Sequence, residues 1–327
     1  MKAMLPTGDI SRAVEFGEAE EPEPREDEAV ITVEAYSVNR GETFRLEDPL
    51  RRWLPGKDVA GTVLRPAADG SGPARGTRVV GHPPARGWAQ RAAVPTRDLA
   101  VLPDRVDTTT AAALPLAGLT ALRLLRAAGP IAGRRILLTG ASGGVGHYFT
   151  ELASGIGARI TAVSAGEERG RRLLDLGATE VVPDVEKAEG PFDLVLESVG
   201  GTSLPAALAR LAPEGLLIWF GQASRAPVTL NFFDFFKAGV GGSIRHFDYT
   251  RSAPSHGSDR GSSADFGNRG NRIDYGYGDD LAVLVRLVAT GRLHPEIGIR
   301  HDWSRTAEAI TDLRARRIRG NAVLITS

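Results

Sequence analysis

The stretch ILLTGASGGVG, residues 136–146, decides the fold of this chain. An apolar strand runs directly into a turn with four glycines, and a helical pattern follows at once. Glycine permits the tight turn and lets backbone amides approach a pyrophosphate with no Cβ in between, while the helix start offers unpaired N–H groups. The stretch predicts a Rossmann-type dinucleotide site, with a plain strand-to-helix turn as the alternative. The residues expected to hold the pyrophosphate are Gly140, Ser142, Gly143, Gly144, Val145 and Gly146.

Downstream of this turn, short apolar strands alternate with helical segments. Residues 145–155 and 167–176 have helical patterns, and Gly177 closes the second of them. Strands that alternate with helices imply a parallel, doubly wound α/β sheet. The strands are predicted at 135–139, 159–163, 180–183, 192–197 and 216–220.

The rest of the chain has a different character, and 327 residues are enough for two domains. The first hundred residues contain short β candidates separated by Gly and Pro, which is typical of a barrel-like unit. Residues 109–128 predict a helix broken by Pro115 and Gly118. The β candidates are 29–36, 59–64, 78–81 and 88–94, and towards the C-terminus we expect helices over 279–290 and 304–316 and a strand over 321–325.

The second strand of the alternating region indicates which dinucleotide binds. An acidic residue about 20 positions past the glycines would hold the 2′-hydroxyl of NAD. Ser164 occupies that position and Arg169 follows on the next helix, a pair that suits the 2′-phosphate of NADPH. Glu167 and Glu168 speak against this choice, unless they pair with the dipole of that helix.

Two later segments fit the nicotinamide end of the cofactor. The strand 192–197 ends in a small-residue turn that begins with Ser198 and Val199, and a second turn contains Gly221 and Gln222. Ligands of open α/β sheets bind beyond the carboxyl ends of the strands, where these turns lie.

Composition excludes several classes of protein. Lys plus Arg and Asp plus Glu both total 40, so no net charge favours nucleic acid or anionic membranes. The chain has no cysteine, which excludes disulfides, a thiol nucleophile and thiolate zinc sites. A proline at position 6 interrupts any signal peptide, and no apolar run approaches the roughly 20 residues of a membrane span. A soluble, cytoplasmic protein is expected.

Residues 250–278 form a long polar segment with almost no apolar side chains. A segment of this kind within a compact domain is a mobile surface insertion or a functional lid. Tyr249, Tyr275 and Tyr277 flank it or lie in it, and they are candidates to close over a substrate.

Several segments together resemble the zinc-free quinone oxidoreductase branch of the medium-chain dehydrogenase/reductase superfamily. They are Ser37–Arg40, Pro55–Gly61, Gly76–His82, Gly87–Gln90, Ala113–Ala121, Gly140–Gly146 and Arg319–Leu324.

The resemblance implies a GroES-like β-barrel domain into which a Rossmann domain is inserted, with the active cleft at their junction. The expected parts are 1–112 for the first portion of the catalytic domain, 113–245 for the NADPH-binding domain and 246–327 for the return. Zinc-dependent relatives bind the metal through a Cys and a Gly-His-Glu motif. Residues 39–42 here read Asn-Arg-Gly-Glu and residues 56–58 read Gly-Lys-Asp, so no metal is expected.

By the same resemblance, Asn39 lies near the nicotinamide and Thr120 lines the cofactor cleft. Asn39 could instead be a turn residue, and Thr120 could instead be a helix residue whose hydroxyl bonds the backbone of its own helix. Asn321 joins the cofactor site in place of a lysine common in the family. Many relatives have a tyrosine shortly after the Asn39 segment, where this chain has Phe44. The proton donor is therefore sought among Tyr36, Glu42 and water, and His82 is interpreted as a loop histidine.

The function implied is an NADPH-dependent reductase that delivers hydride to a quinone or an α,β-unsaturated carbonyl, without zinc. Two alternatives remain open. One is a reductase dedicated to a natural-product intermediate, and the other is a catalytically silent NADPH-binding sensor or partner module. A homodimer through a sheet edge is also considered, with residues 216–220 as an edge strand or an internal one.

Overall fold

The computed structural model describes residues 1–47, 53–237, 242–250 and 276–326. In these ranges the strands are β1 Lys2–Pro6, β2 Val14–Glu18, β3 Glu28–Val38, β4 Val59–Arg65, β5 Arg78–Gly81, β6 Arg91–Pro95, β7 Leu99–Val101, β8 Arg135–Leu138, β9 Arg159–Val163, β10 Glu180–Val182, β11 Phe192–Glu197, β12 Leu211–Trp219, β13 Ser243–His246, β14 Ile297–Asp302 and β15 Asn321–Ile325. The α-helices are α1 Arg40–Arg45, α2 Thr108–Ala112, α3 Pro115–Ala128, α4 Gly144–Ser154, α5 Glu167–Asp175, α6 Ser203–Leu208, α7 Asp234–Lys237, α8 Tyr277–Ala289 and α9 Thr306–Arg314.

A six-stranded parallel sheet carries the glycine turn. Its strand order is β10-β9-β8-β11-β12-β13. The strands are apolar because both faces are covered: Ile136 and Leu138 pack into the core that contains α3 and α4, whereas Leu137 packs with α6 on the other face. The predicted doubly wound α/β sheet is confirmed. The strand order reverses between β8 and β11, the point where open sheets bind ligands.

A seven-stranded sheet joins the two ends of the chain. Its order is β14-β15-β3-β4-β5-β7, and β6 also pairs with β3. The last strand, β15, runs antiparallel to β3 on one side and parallel to β14 on the other. Strands β3–β7 therefore share one sheet with β14 and β15, whereas β1 and β2 pair with each other. The expected domain boundaries at 112 and 245 stay a prediction.

The structure corrects several local predictions. Gly118 lies inside α3 and does not break it, and a Cβ there would stand 2.9 Å from Leu284 Cδ1, so the glycine allows α8 to approach. Residues 216–219 belong to an internal strand, β12, with β11 and β13 on its two sides. Helix α8 begins at Tyr277, so the last residues of the 250–278 segment are helical, and 251–275 lie outside the described residues.

The glycine turn also touches the seven-stranded sheet. Gly143 forms an isolated bridge with Gly320, whose amide donates to the carbonyl of Ser142 at 3.1 Å. The turn therefore lies where the two sheets meet. Among the described helices, none combines the length and the apolar character that a membrane crossing requires.

Candidate active site

The glycine turn is closely packed: at three of its glycines, atoms of other residues occupy the space that a Cβ would need. Gly140 has φ +62°, and a Cβ there would lie 2.5 Å from Ser198 Oγ. A Cβ on Gly146 would overlap the backbone carbonyl of Ala141, and one on Gly144 would lie 2.5 Å from Asn321 Oδ1. At Gly143 the nearest neighbour would be 3.4 Å away, an ordinary contact. The turn thus needs glycine for its own packing at these three positions, and α4, which includes Val145, starts within it.

The turns after β11 and β12 meet this one. Ser198 donates its Oγ to the Thr139 carbonyl at 3.1 Å, and a Cβ on Gly221 would lie 3.1 Å from the Ser198 carbonyl oxygen. Sequence reasoning missed Glu197, a fully buried carboxylate that accepts from the amides of Val199 and Gly200, both at 3.0 Å. Gln222 closes the third turn by donating to Ala226 O at 2.8 Å. The structure brings together the predicted pyrophosphate and nicotinamide-side segments.

A group of arginines lies near the predicted 2′-phosphate position. Ser164 follows β9 and is buried, and Arg169 on α5 donates to the carbonyls of Arg316 and Ile318, to the latter at 3.1 Å. Burial lowers the pKa of Arg169, and nearby Arg316 lowers it further. Burial likewise lowers the pKa of Arg40, with Arg316 and Arg169 adding to the shift.

In this group of arginines, the Nε atoms of Arg40 and Arg169 are buried, and neither has a hydrogen-bond partner among the described residues. Like charges gathered with unfilled donors favour an anionic ligand. Arg40 and Arg316 could not be linked to Arg169 from sequence because they lie far from it along the chain.

Two further cofactor candidates have mainly structural contacts. Asn321 donates its Nδ2 to Glu296 O at 3.0 Å, while its Oδ1 faces Gly144. Thr120 donates its hydroxyl to Leu116 O at 2.6 Å, which is the local backbone bond considered as its alternative. Both side chains are buried, and their cofactor roles stay predictions.

Asp58 is the centre of a buried polar network. Its Oδ2 accepts from Ser37 Oγ and from Asn39 Nδ2, both at 2.6 Å. Its Oδ1 accepts from the Leu116 amide at 3.0 Å and lies 3.1 Å from His82 Nδ1. A carboxylate that satisfies so many donors links the Asn39 segment to the start of α3.

Glu42 lies beside this centre and is buried as well. It accepts from the backbone amide of Asn39 at 3.1 Å and from that of Gly56 at 3.1 Å. Burial raises the pKa of Glu42 from 4.5 to about 7, and the charge of Asp58 adds to the shift. Two buried carboxyl groups so close together cannot both ionise freely, so Glu42 holds its proton more tightly than an ordinary glutamate.

Tyr249 completes the network on the other side of His82. Its hydroxyl lies 3.2 Å from His82 Nε2 and accepts from Lys57 Nζ at 3.2 Å. We call Asp58, His82, Lys57 and Tyr249 the tyrosine cluster. His82, expected to be a loop histidine, is buried and bonded at both ring nitrogens.

The other lid candidates have different positions. Tyr277 packs edge-on against His82, with ring centroids 4.7 Å apart, and lies 6.2 Å from the Tyr249 ring. Arg123 donates to the backbone carbonyl of Tyr249 at 2.7 Å. Tyr275 lies outside the described residues.

Tyr36 is not brought together with these groups. It is fully buried, stacks on Trp88 and bonds its hydroxyl to Thr306 Oγ1 at 2.7 Å. Its candidate role as a donor therefore has no contact to support it, whereas Asn39 and Glu42 both adjoin the tyrosine cluster. Sequence could have pointed to Asp58, because the Gly56–Asp58 segment stands where zinc-dependent relatives have their Gly-His-Glu motif.

The described residues at the positions where zinc-dependent relatives bind the metal do not fit a zinc ion. The chain has no cysteine, and the described residues contain no group of three or more His, Asp or Glu side chains that could hold a metal. In the corresponding stretches the Asn39 amide and the Asp58 carboxylate are already bonded to each other, and of these two groups only the carboxylate is a usual zinc ligand.

Known proteins place the chain in a family. The profile of a family described as zinc-binding dehydrogenase matches residues 144–250. A quinone oxidoreductase of Pongo abelii is 30% identical over 227 residues, which cover 64% of this chain and 68% of the relative. A 2-methylene-furan-3-one reductase of Solanum lycopersicum is 32% identical over 199 residues, covering 55% of this chain and 51% of the relative.

The fold is shared over the whole length with solved structures. A mycobacterial protein, Rv1454c, was solved in complex with NADPH and superposes with a TM-score of 0.83 at 24% identity, covering 99% of this chain and 100% of the other. The predicted combination of a Rossmann domain with a GroES-like domain is confirmed at the level of fold. The identity to the Pongo abelii enzyme over two thirds of that relative shows that the chain belongs to the quinone oxidoreductase family of oxidoreductases, within the medium-chain dehydrogenase/reductase superfamily.

Proposed function

We propose that the protein is an NADPH-dependent, zinc-independent reductase that delivers hydride to a quinone or an α,β-unsaturated carbonyl compound. The observation that carries this proposal is the glycine turn at the carboxyl edge of the parallel sheet, next to the unfilled donors of Arg40 and Arg169. A turn of this kind suits a pyrophosphate, and the arginines suit one more phosphate group.

The cofactor would be held by three sets of residues. The turn Gly140–Gly146 would hold the pyrophosphate, Ser164 with Arg169 and Arg40 the 2′-phosphate, and the turns at Ser198 and Gly221 the nicotinamide end. When bound, NADPH supplies the hydride. The protein's own contribution is to orient the acceptor, exclude water and stabilise the enolate that forms.

The acceptor is proposed from the chemistry of the relatives. The Pongo abelii relative is named for quinones, and the name of the Solanum lycopersicum relative describes a ketone conjugated to a carbon–carbon double bond. Both are electron-poor conjugated carbonyls, so one hydride acceptor class accounts for both names. A cytoplasmic location and a homodimer remain predictions.

The experiment is an acceptor panel under NADPH. Oxidation of NADPH is followed with simple quinones and simple enones, and cofactor binding is measured separately by calorimetry. We expect turnover with simple acceptors and tighter binding of NADPH than of NADH. Treatment with a zinc chelator is expected to leave the turnover unchanged, and a loss of turnover that added zinc restores would contradict zinc independence.

The two alternatives are separated by the same panel. NADPH binding without oxidation on any acceptor would favour the silent sensor. Turnover confined to an elaborate polycyclic or thioester-linked enone would favour a dedicated biosynthetic reductase. Failure to bind any nicotinamide dinucleotide would overturn the proposal.

A further inference from the structure

We propose that Tyr249 is the proton donor of the reaction, and that His82, Asp58 and Lys57 are positioning residues that hold and recharge it. The inference rests on the proposed function, because a donor is needed once hydride has been added to a conjugated acceptor. Many relatives have a tyrosine shortly after the Asn39 segment, but this chain has Phe44 there. The inference assigns the proton donor that this difference leaves open.

The location of Tyr249 supports this role. It lies three residues past the end of β13, which is parallel to β12, so it stands at the carboxyl edge that also carries the turns at Gly140, Ser198 and Gly221. Ligands of such sheets bind at this edge. Through His82 and Asp58, Tyr249 is also joined to Asn39, the residue expected near the nicotinamide.

The half-buried environment of Tyr249 suits a group that must carry its proton until it is needed. Burial raises the pKa of the Tyr249 phenol above its usual value of 10.0, and neighbouring Tyr277 and Asp58 raise it further. The phenol is therefore neutral at ordinary pH. Its backbone is fixed by the bond from Arg123 to its carbonyl oxygen.

The hydrogen bonds around His82 define how the proton can be replaced. Asp58 accepts from other donors at both oxygens, so it acts as a carboxylate that can receive Nδ1–H of His82. His82 Nε2 lies 3.2 Å from the Tyr249 oxygen and holds the phenol in place. That oxygen also accepts from Lys57 Nζ at 3.2 Å, so Lys57 can return a proton to it.

The proposed step is balanced in atoms and charge. Hydride from the reduced nicotinamide dinucleotide adds to the β-carbon of an enone, and the double-bond electrons move to form an enolate. The Tyr249 O–H bond then breaks, its proton forms the new C–H bond at the α-carbon, and a phenolate remains. The phenolate takes a proton from the Lys57 ammonium, which donates to the same oxygen, and solvent returns a proton to the half-buried Lys57 side chain.

The decisive variant is Tyr249→Phe, tested with two acceptors in deuterium oxide. A proton on an enone α-carbon needs a donor, whereas a reduced quinone collects its protons on oxygen from water. We expect the variant to lose about 100-fold or more of its turnover with 2-methylcyclohexenone and less than about threefold with benzoquinone. Wild type should place deuterium on one face of the α-carbon, and the variant on both faces.

Two further variants separate donation from positioning. His82→Gln is expected to lower enone turnover while keeping deuterium on a single face, since Tyr249 still donates but is held less firmly. Tyr277→Phe, which removes a hydroxyl from the neighbouring ring, should keep deuterium on a single face, whatever its effect on turnover. Loss of facial selectivity in Tyr277→Phe with retention in Tyr249→Phe would overturn the assignment.

A spectroscopic measurement tests the cluster without cofactor or turnover. In cofactor-free protein labelled with nitrogen-15, Tyr249→Phe should shift the Nε2 signal of His82 and leave the Nδ1 signal in place. Unchanged Nε2 would contradict the Tyr249–His82 contact. The absence of NADPH oxidation with every acceptor would instead count against the proposed function, so the two failures can be told apart.

Discussion

The glycine turn and the tyrosine cluster lie at the same edge of the parallel sheet, yet they are built in opposite ways. The turn is one short run of backbone, and its shape depends on missing side chains at Gly140, Gly144 and Gly146. The cluster consists of side chains from separate segments, and Lys57 and Tyr249 are 192 residues apart in sequence. A site for a common cofactor can thus be encoded in one short segment, whereas the groups proposed to meet the acceptor come together only in the folded chain.

The difference also concerns how each region tolerates change. A backbone turn fails when any atom is added at a crowded position, because the neighbouring backbone cannot move away. A side-chain network fails when a partner is removed, because the donors and acceptors left behind are buried. The following variants test this contrast.

Gly146→Ala should have the largest effect. The added Cβ would overlap the Ala141 carbonyl, which belongs to the turn itself, so we expect a loss of roughly 3 kcal/mol or more of unfolding free energy. Gly143→Ala is the matched variant, because its Cβ would make only an ordinary contact at 3.4 Å. Denaturant titration of both proteins measures the contrast, and equal losses would contradict the crowding argument.

Glu42→Gln should change how stability depends on pH. In the unfolded chain Glu42 ionises near 4.5, whereas the folded protein holds the proton up to about 7. The folded state binds more protons between these values, so Glu42 favours folding below pH 4.5 and this contribution is lost as the pH rises to about 7. Unfolding measured across this window should show a decline of about 1–3 kcal/mol in wild type that is absent in Glu42→Gln. A decline of the same size in the variant would assign it to another group.

Arg40→Ala should weaken NADPH binding about 10- to 100-fold and leave NADH binding unchanged, because only NADPH has the 2′-phosphate. Arg171→Ala removes an exposed arginine of the nearby helix α5 and serves as the control. Calorimetric titration with each dinucleotide gives the comparison. Equal losses for the two dinucleotides would show that Arg40 does not recognise the 2′-phosphate. Cofactor binding would then depend only on residues that are close together in sequence.

Tyr36→Phe should have the smallest effect. It removes one buried hydrogen bond to Thr306, so we expect a loss of about 1 kcal/mol in stability. The enone-to-quinone ratio should stay at the wild-type value, in contrast to Tyr249→Phe. A ratio that falls in Tyr36→Phe would restore Tyr36 as a donor and weaken the case for the cluster.

The sequence predicted what depends on local pattern. Four strands have the bounds expected for them, because the alternation of apolar residues and the turn residues that define a strand lie within a few positions of one another. They are Arg78–Gly81, Arg159–Val163, Phe192–Glu197 and Asn321–Ile325. The break expected at Gly118 was wrong, because tertiary packing against Leu284 uses the glycine there. The edge role considered for 216–220 failed for a similar reason: an apolar strand has the same pattern at an edge as inside a sheet.

The same distinction between local pattern and tertiary packing separates the two parts of the candidate site. The turns at Gly140, Ser198 and Gly221 could be found because each follows a strand of one parallel sheet. The tyrosine cluster could not, since no spacing connects position 58 with 82 or 249. His82 resembles any loop histidine until its two ring nitrogens are seen to have partners.

The arrangement of the seven-stranded sheet has a consequence for biosynthesis. Strand β3 pairs with β4 on one side, and on the other it pairs with β6 through residues 28–32 and with β15 through residues 35–38. A nascent chain that has completed β7 therefore leaves residues 35–38 of β3 without their partner strand until about 220 further residues have been added. The six-stranded sheet, contained within residues 135–246, has all its partners earlier. The seven-stranded sheet, whose first strands precede the six-stranded sheet in the chain, is thus completed after it.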